Sequence, residues 1–170
     1  MQTGAMTCFV LVGGWPGSGK TTLARALAAE MRLPYLSKDD MKEALMDALG
    51  APTSVEESRR LGSAAVHAVL TAARGCSGAV IDSTWFAYSR PLVDALPGRK
   101  VEVRCLADAA VCRERFQRRR RDERHLDGER SPEELWGQHV GPLGVGPLLE
   151  VDTETPLDLR DVTAQIRACA

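Results

Sequence analysis

The sequence predicts an α/β fold, a parallel sheet covered on both faces by helices. Two observations carry this. Short apolar runs alternate with amphipathic helical stretches, without a linker, repeat or low-complexity segment between them. A glycine-rich turn, Gly14 to Gly19, also joins the first apolar run directly to the first helical stretch, as a strand-turn-helix junction does. At 170 residues and 44% apolar content, the chain reads as a single domain over residues 1–170 with a sizeable core.

The elements follow in order. Cys8-Phe9-Val10-Leu11-Val12 is apolar throughout, the pattern of a strand buried on both faces. Leu23, Leu27 and Met31 recur at i, i+4 and i+8, with Ala24 and Ala28 beside them, which marks the first helix. Leu33 to Leu36 forms a short second strand. Ser37 and Asp40 make an S-x-x-D cap ahead of Met41, Ala44, Leu45, Ala48 and Leu49 on one helical face. Gly50 and Pro52 stop that helix. A third helix runs from about Glu56 to Arg74 and ends at Gly75. Ala79–Ile81, Val101–Leu106 and Leu148–Val151 are the remaining strands, with helices near Pro91–Leu96 and Asp108–Arg121. Ser131-Pro132-Glu133-Glu134 is a capping box with proline at the first helical position. A last helix carries Leu159, Val162 and Ile166.

Composition narrows the function classes. A net charge of −1 gives no global pull toward nucleic acid or membrane. No apolar run approaches transmembrane length, and too few residues precede the first strand for a signal peptide. The five cysteines are scattered without a C-x-x-C pair, as expected of buried or incidental thiols in a reducing cytoplasm.

Four segments carry chemistry. Gly14-Trp15-Pro16-Gly17-Ser18-Gly19-Lys20-Thr21 is a complete G-x-x-x-x-G-K-S/T phosphate-binding loop, continued by Thr22. Its glycines let backbone N–H groups curl into an anion nest at a helix N-terminus. Lys20 supplies a cation for the β/γ-phosphates, and the Thr21 hydroxyl is placed to ligate Mg²⁺. The chain is therefore expected to bind a nucleoside triphosphate. Lys38-Asp39-Asp40 stands at the carboxyl end of the second strand, the edge where ligands bind in open α/β sheets. The two acids either orient an incoming hydroxyl, take its proton or help hold Mg²⁺, or else simply cap the helix. Val80-Ile81-Asp82 ends an apolar strand in an acid, the place of a carboxylate that touches Mg²⁺ or its waters. The alternative is a strand-end cap. No Glu follows Asp82, and a chain without Asn has no N-K-x-D base-reading motif, so the reading moves from hydrolysis toward transfer. Arg115 and Arg119 are four apart in a basic run, where a helix would place them on one face. They read as phosphate-facing guanidinium groups or as a solvated basic face.

The motifs G-W-P-G-S-G-K-T at 14–21, K-D-D-M-K at 38–42, V-I-D-S-T at 80–84 and R-x-x-x-R at 115–119 together resemble the compact P-loop kinases. The resemblance runs from Phe9 to about Asp152. It is strongest toward the branch of 5′-polynucleotide kinases, chloramphenicol-type phosphotransferases and zeta-toxin-like kinases. It implies a three-layer P-loop fold with a five-stranded parallel sheet in order 2-3-1-4-5 and a helical lid at about residues 115–140. It makes Asp39 the general base and Arg115 and Arg119 the lid arginines on the triphosphate. It also implies ATP with Mg²⁺ at Thr21 and Asp82, and puts the base at the Asp152–Thr155 loop, by Thr153. Lys42 stands where polynucleotide kinases carry an acceptor-contacting Arg, and a point charge lacks the bidentate grip of Arg.

The expectation is a cytoplasmic ATP-dependent phosphotransferase with a small-molecule hydroxyl acceptor. The alternatives are a 5′-hydroxyl polynucleotide kinase and a nucleotide-gated switch with slow hydrolysis. Helix two offers Lys38 and Lys42 against Asp39, Asp40, Glu43 and Asp47, a border expected to repel a phosphodiester backbone and to accept a neutral or cationic compound. Trp85, Phe86, Tyr88 and Arg90 either line the acceptor cleft or belong to the core, and Arg59, Arg60 and His67 are further candidates.

Overall fold

The computed structural model describes residues 7–119, 121–137 and 140–169. Its strands are β1 (Cys8–Gly13), β2 (Tyr35–Ser37), β3 (Gly78–Asp82), β4 (Arg99–Leu106) and β5 (Leu148–Asp152). Every pairing is parallel and the order is 2-3-1-4-5, the P-loop kinase order. The helices are α1 (Lys20–Met31), α2 (Lys38–Leu49), α3 (Val55–Arg74), α4 (Arg90–Asp94), α5 (Ala109–Arg118), α6 (Pro132–Trp136) and α7 (Leu159–Cys169). No helix among the described residues is long and apolar enough to cross a membrane.

The central strands are buried on both faces, and successive residues feed opposite cores. Cys8, Val10 and Val12 pack with Leu23 and Leu27 of α1 and Val162 and Ile166 of α7. Phe9 and Leu11 pack on the other side with Val66, Val69 and Leu70 of α3 and with Trp85. Glu102 of β4 is buried yet satisfied, accepting the Leu143 and Val145 amides at 2.6 and 2.8 Å. It thereby pins the 140–147 loop against the sheet.

The predicted caps are present. Ser37 accepts the Asp40 amide at 3.1 Å, and Ser131 and Glu134 exchange both capping-box bonds. Two boundaries differ from the sequence reading. The second strand begins at Tyr35 rather than Leu33, because Arg32 closes α1 in the left-handed conformation (φ 55°) and Leu33 turns into the core. Helix α5 stops at Arg118, and Arg119 is extended at ψ 135°. The residues after it are drawn to acidic partners outside the helix, and those ion pairs override helical propensity. Of the predicted helix end, residue 120 lies outside the described residues.

Candidate active site

Parallel register sets the site. Val12 pairs with Asp82 and Asp82 with Ser37, so the starts of the phosphate loop and of α2 meet the end of β3 at one sheet edge. The loop leaves β1 through Gly14 and enters α1 at Gly19, whose φ is 85° and which offers no side-chain cap. A Cβ on Gly17, at φ 78°, would collide with the Cys112 carbonyl of α5, so only glycine fits there. Ser18 is buried and its Oγ has no partner. An orphaned hydroxyl inside a nest of backbone amides at a helix N-terminus is what a phosphate would satisfy.

Lys20 Nζ donates to the Trp15 carbonyl at 3.1 Å, folded over its own loop. Burial lowers its proton affinity, against Asp82 and Asp39, which raise it. Asp82 is 6% exposed. Its Oδ2 accepts from Thr21 Oγ1 at 2.7 Å and from Tyr35 Oη at 3.0 Å. Burial pushes the Asp82 carboxyl up, while Lys20 and these hydrogen bonds hold it down. A buried carboxylate beside the loop hydroxyl fits Mg²⁺, which needs one or two protein oxygens and takes the rest from phosphates and water. Among the described residues no group of three or more His, Cys, Asp or Glu side chains forms a denser metal cluster. Tyr35 was not anticipated, since nothing in its local sequence marks it.

Asp39 and Asp40 have different surroundings. Asp40 is 60% exposed and its nearest cation is Arg25, 3.9 Å away. Asp39 accepts from Lys38 Nζ at 3.1 Å and from Arg121 Nη2 at 2.6 Å. Burial alone would raise its carboxyl, but Lys38, Arg121 and His125 outweigh that and hold it well below the usual carboxylate range. Each of its oxygens keeps a lone pair for a further donor.

Three cavities follow the sheet edge. One of about 400 Å³ is lined by Gly19, Thr22, Leu23, Arg115, Thr153 and Leu157. Here Arg115 Nη2 donates to the Thr153 carbonyl at 3.2 Å, and Thr153 Oγ1 lies 2.8 Å from the Ser18 carbonyl. A narrow central cleft of about 90 Å³ brings together Pro16 and Lys20 of the loop with Asp39, Arg119, Arg121 and Arg130. It shares Lys38, Lys42, Thr84 and Phe86 with a third cavity of about 540 Å³, which adds Ser58, Arg59, Arg60 and Tyr88.

The structure therefore brings Lys20, Asp39 and Arg119 together and sets Arg115 apart. Arg115 and Arg119 stand one helical turn apart at the end of α5, the Arg119 amide donating to the Arg115 carbonyl at 3.1 Å, but their side chains line different cavities. Arg121 and Arg130 were missed. Arg119 and Arg121 approach the same acid, Asp127, at 3.6 and 2.5 Å, an alternation invisible while the run is read as helix.

The acidic border expected of α2 is also corrected. Asp40 sits near Arg25, Glu43 Oε1 pairs with His125 Nε2 at 2.9 Å, and Asp47 with Arg124 at 2.7 Å. None of these three acids lines the large cavity, whereas Arg59 and Arg60 of α3 do. Trp85 is core, its indole bonded to the Val12 carbonyl. Phe86 and Tyr88 line the cavity, Arg90 pairs with Asp94 outside it, and His67 is exposed.

A family model described as an AAA domain matches residues 9–138. The chain belongs to the AAA domain family. The chain is 32% identical to a protein from Chloroflexus aurantiacus J-10-fl described as a candidate kinase, over 96% of both chains and with a TM-score of 0.76. It shares its fold with a sugar kinase from Janibacter sp. HTCC2649 at 19% identity, covering 96% of this chain and 94% of that one, TM-score 0.62. The fold likeness extends to a gluconokinase from Sinorhizobium meliloti 1021 at 19% identity, covering 96% and 91%, TM-score 0.58. No curated protein sequence matches it.

Proposed function

We propose that the protein is an ATP- and Mg²⁺-dependent kinase that moves the γ-phosphoryl group to a hydroxyl of a small molecule. One observation carries the reading: Lys20 and Asp39, from separate elements, line a single cleft that opens into the 540 Å³ cavity. The 32% identical candidate kinase adds weight. The nucleoside belongs in the cavity of Arg115 and Thr153, with its phosphates in the loop of residues 14–22. Mg²⁺ on Thr21 and Asp82 would offset charge on the β- and γ-phosphates.

The acceptor hydroxyl lies between the γ-phosphorus and Asp39. Its oxygen bonds to phosphorus as the bond to the departing ADP oxygen breaks, and its proton passes to the Asp39 carboxylate. A carboxylate held well below its usual range is a weak base toward a free alcohol. Its work is to orient the hydroxyl and take the proton late, as suits a loose transition state. Lys20, Arg119 and Arg121 offset charge on the moving group. A lid at about residues 115–140 would cover the nucleotide.

The test is ADP formation from ATP and Mg²⁺ across a panel of hydroxylated acceptors, for wild type and Lys20→Ala. The variant is expected to lose about 10²–10³-fold in turnover, the usual worth of one preorganised charge contact. Near-normal transfer by Lys20→Ala would contradict the reading.

A further inference from the structure

The large cavity holds more positive charge than its neighbours neutralise. Lys38 and Lys42 enter from α2, Arg59 and Arg60 from α3, and Arg130 from the lid segment, against one acid, Glu134. Glu134 is already engaged by Arg59, and Lys38 by Asp39. Lys42, 1% exposed, donates to Ser58 Oγ at 2.6 Å, and Arg130 Nη2 donates to the same oxygen at 3.1 Å. Two cations thus converge on one neutral hydroxyl, and Arg130 Nε is buried without a hydrogen-bond partner, its ion-pair partner Asp127 standing 3.9 Å away. Burial pushes the Lys42 amine down to about 8, with Lys38, Arg130 and Arg121 adding to the shift. Lys42 bonds directly to a hydroxyl, and a buried cation so placed remains costly until an anion joins it. The same cavity is lined by Phe86 and Tyr88, their rings 6.2 Å apart and within 13° of parallel.

We infer that the acceptor is a small hydroxylated anion, a sugar acid or sugar phosphate, whose carboxylate or phosphate binds Lys42, Arg130 and Arg59 while its carbon skeleton lies on Phe86 and Tyr88. This rests on the kinase reading and names its substrate class. It replaces the neutral or cationic compound expected from α2 alone. A volume of about 540 Å³ suits a molecule of that size. The cations are gathered in a cavity rather than along a track, as a nucleic-acid strand would need.

The experiment has a binding arm and a transfer arm. Binding is measured by calorimetry on protein loaded with Mg²⁺ and a non-hydrolysable ATP analogue, so that the phosphate loop is filled. The probes are gluconate, glucuronate, glucose 6-phosphate, glucose, glucosamine and a 5′-OH oligonucleotide. Transfer is ADP formation with the same compounds and ATP. At least one of the three anions is expected to bind and to accept phosphate about 10-fold better in kcat/KM than glucose or glucosamine. Arg130→Gln and Arg59→Gln are expected to weaken that anion about 10-fold or more, as loss of a charge-assisted contact does. Arg130 also holds Ser58, so the exposed Arg59 supplies the variant that is safe for folding.

Equal binding of glucose, or anion binding unchanged in both variants, would overturn the inference. So would preference for the oligonucleotide with steep loss in salt, or no binding by any of the three anions. Anion binding without ADP formation would support the pocket and contradict the kinase reading. ADP formation on glucose without anion binding would do the reverse.

Discussion

Lys42 carries its charge where charge is costly. It is 1% exposed, touches a hydroxyl, and faces Lys38, Arg130 and Arg121, with Asp39 the nearby acid that favours its protonation. Its amine, pushed down to about 8 by burial and then by those cations, is charged at neutral pH and loses its charge as pH rises. A bound anion favours the charged form, so the complex takes up a proton above that value. The KM for an anionic acceptor is therefore expected to climb about 10-fold between about pH 7 and about pH 9.5. Lys42→Met should flatten that climb and raise the KM at neutral pH. A wild-type KM constant across this range would contradict the role given to Lys42. Asp39 moves the other way and stays ionised far into acid, so no acid limb should come from it. At this scale the sequence was informative where chemistry sits at a strand end, as for Asp39 and Asp82. It placed Lys42 beside the acceptor through the family resemblance but could not give its surroundings, which Arg121 and Arg130 make from far along the chain.

Helix α5 ends one residue too early for the pattern read in it, and that ending divides two arginines between two tasks. Arg115 stays helical and reaches the Thr153 carbonyl beside the 400 Å³ cavity. Arg119, extended, turns to Asp127 and the central cleft. Arg115→Ala is expected to raise the KM for ATP about 3–10-fold with little change in kcat. Arg119→Ala should lower kcat about 10–100-fold with the KM for ATP nearly unchanged. Steady-state kinetics at saturating acceptor separates the two, and matching effects would contradict the division. The helices with strong local signals, such as the capped starts of α2 and α6, were legible because a cap is a contact between residues three apart. The end of α1 at Met31, the last residue of its apolar repeat, was legible too, and the end of α5 was not. Arg119 drawn to Asp127 is settled by a contact that local periodicity does not contain.

Across the whole molecule, a sheet in order 2-3-1-4-5 lines up three loops that are distant in sequence. The phosphate loop, the start of α2 and the end of β3 are brought together by strand register, so the sequence predicted them well. The cavity of about 540 Å³ proposed for the acceptor is lined from α2, α3 and the 122–134 segment. Ser58 ties all three, accepting from Lys42 and Arg130 and donating to the His125 carbonyl at 3.1 Å. Its charge could not be read from α2 alone, since Asp39 and Asp47 of that helix pair with Arg121 and Arg124, about 80 residues away. The central claim is that phosphoryl transfer occurs in the Lys20–Asp39 cleft with Asp39 taking the proton. Its most direct test is single-turnover transfer of labelled γ-phosphate from ATP to the best acceptor of the panel, by wild type, Asp39→Asn and Asp40→Asn. Asp39→Asn should bind ATP within a few-fold of wild type and transfer on the order of 10²–10⁴-fold more slowly, while Asp40→Asn transfers at close to the wild-type rate. Equal rates for the two variants, or wild-type transfer by Asp39→Asn, would contradict the account.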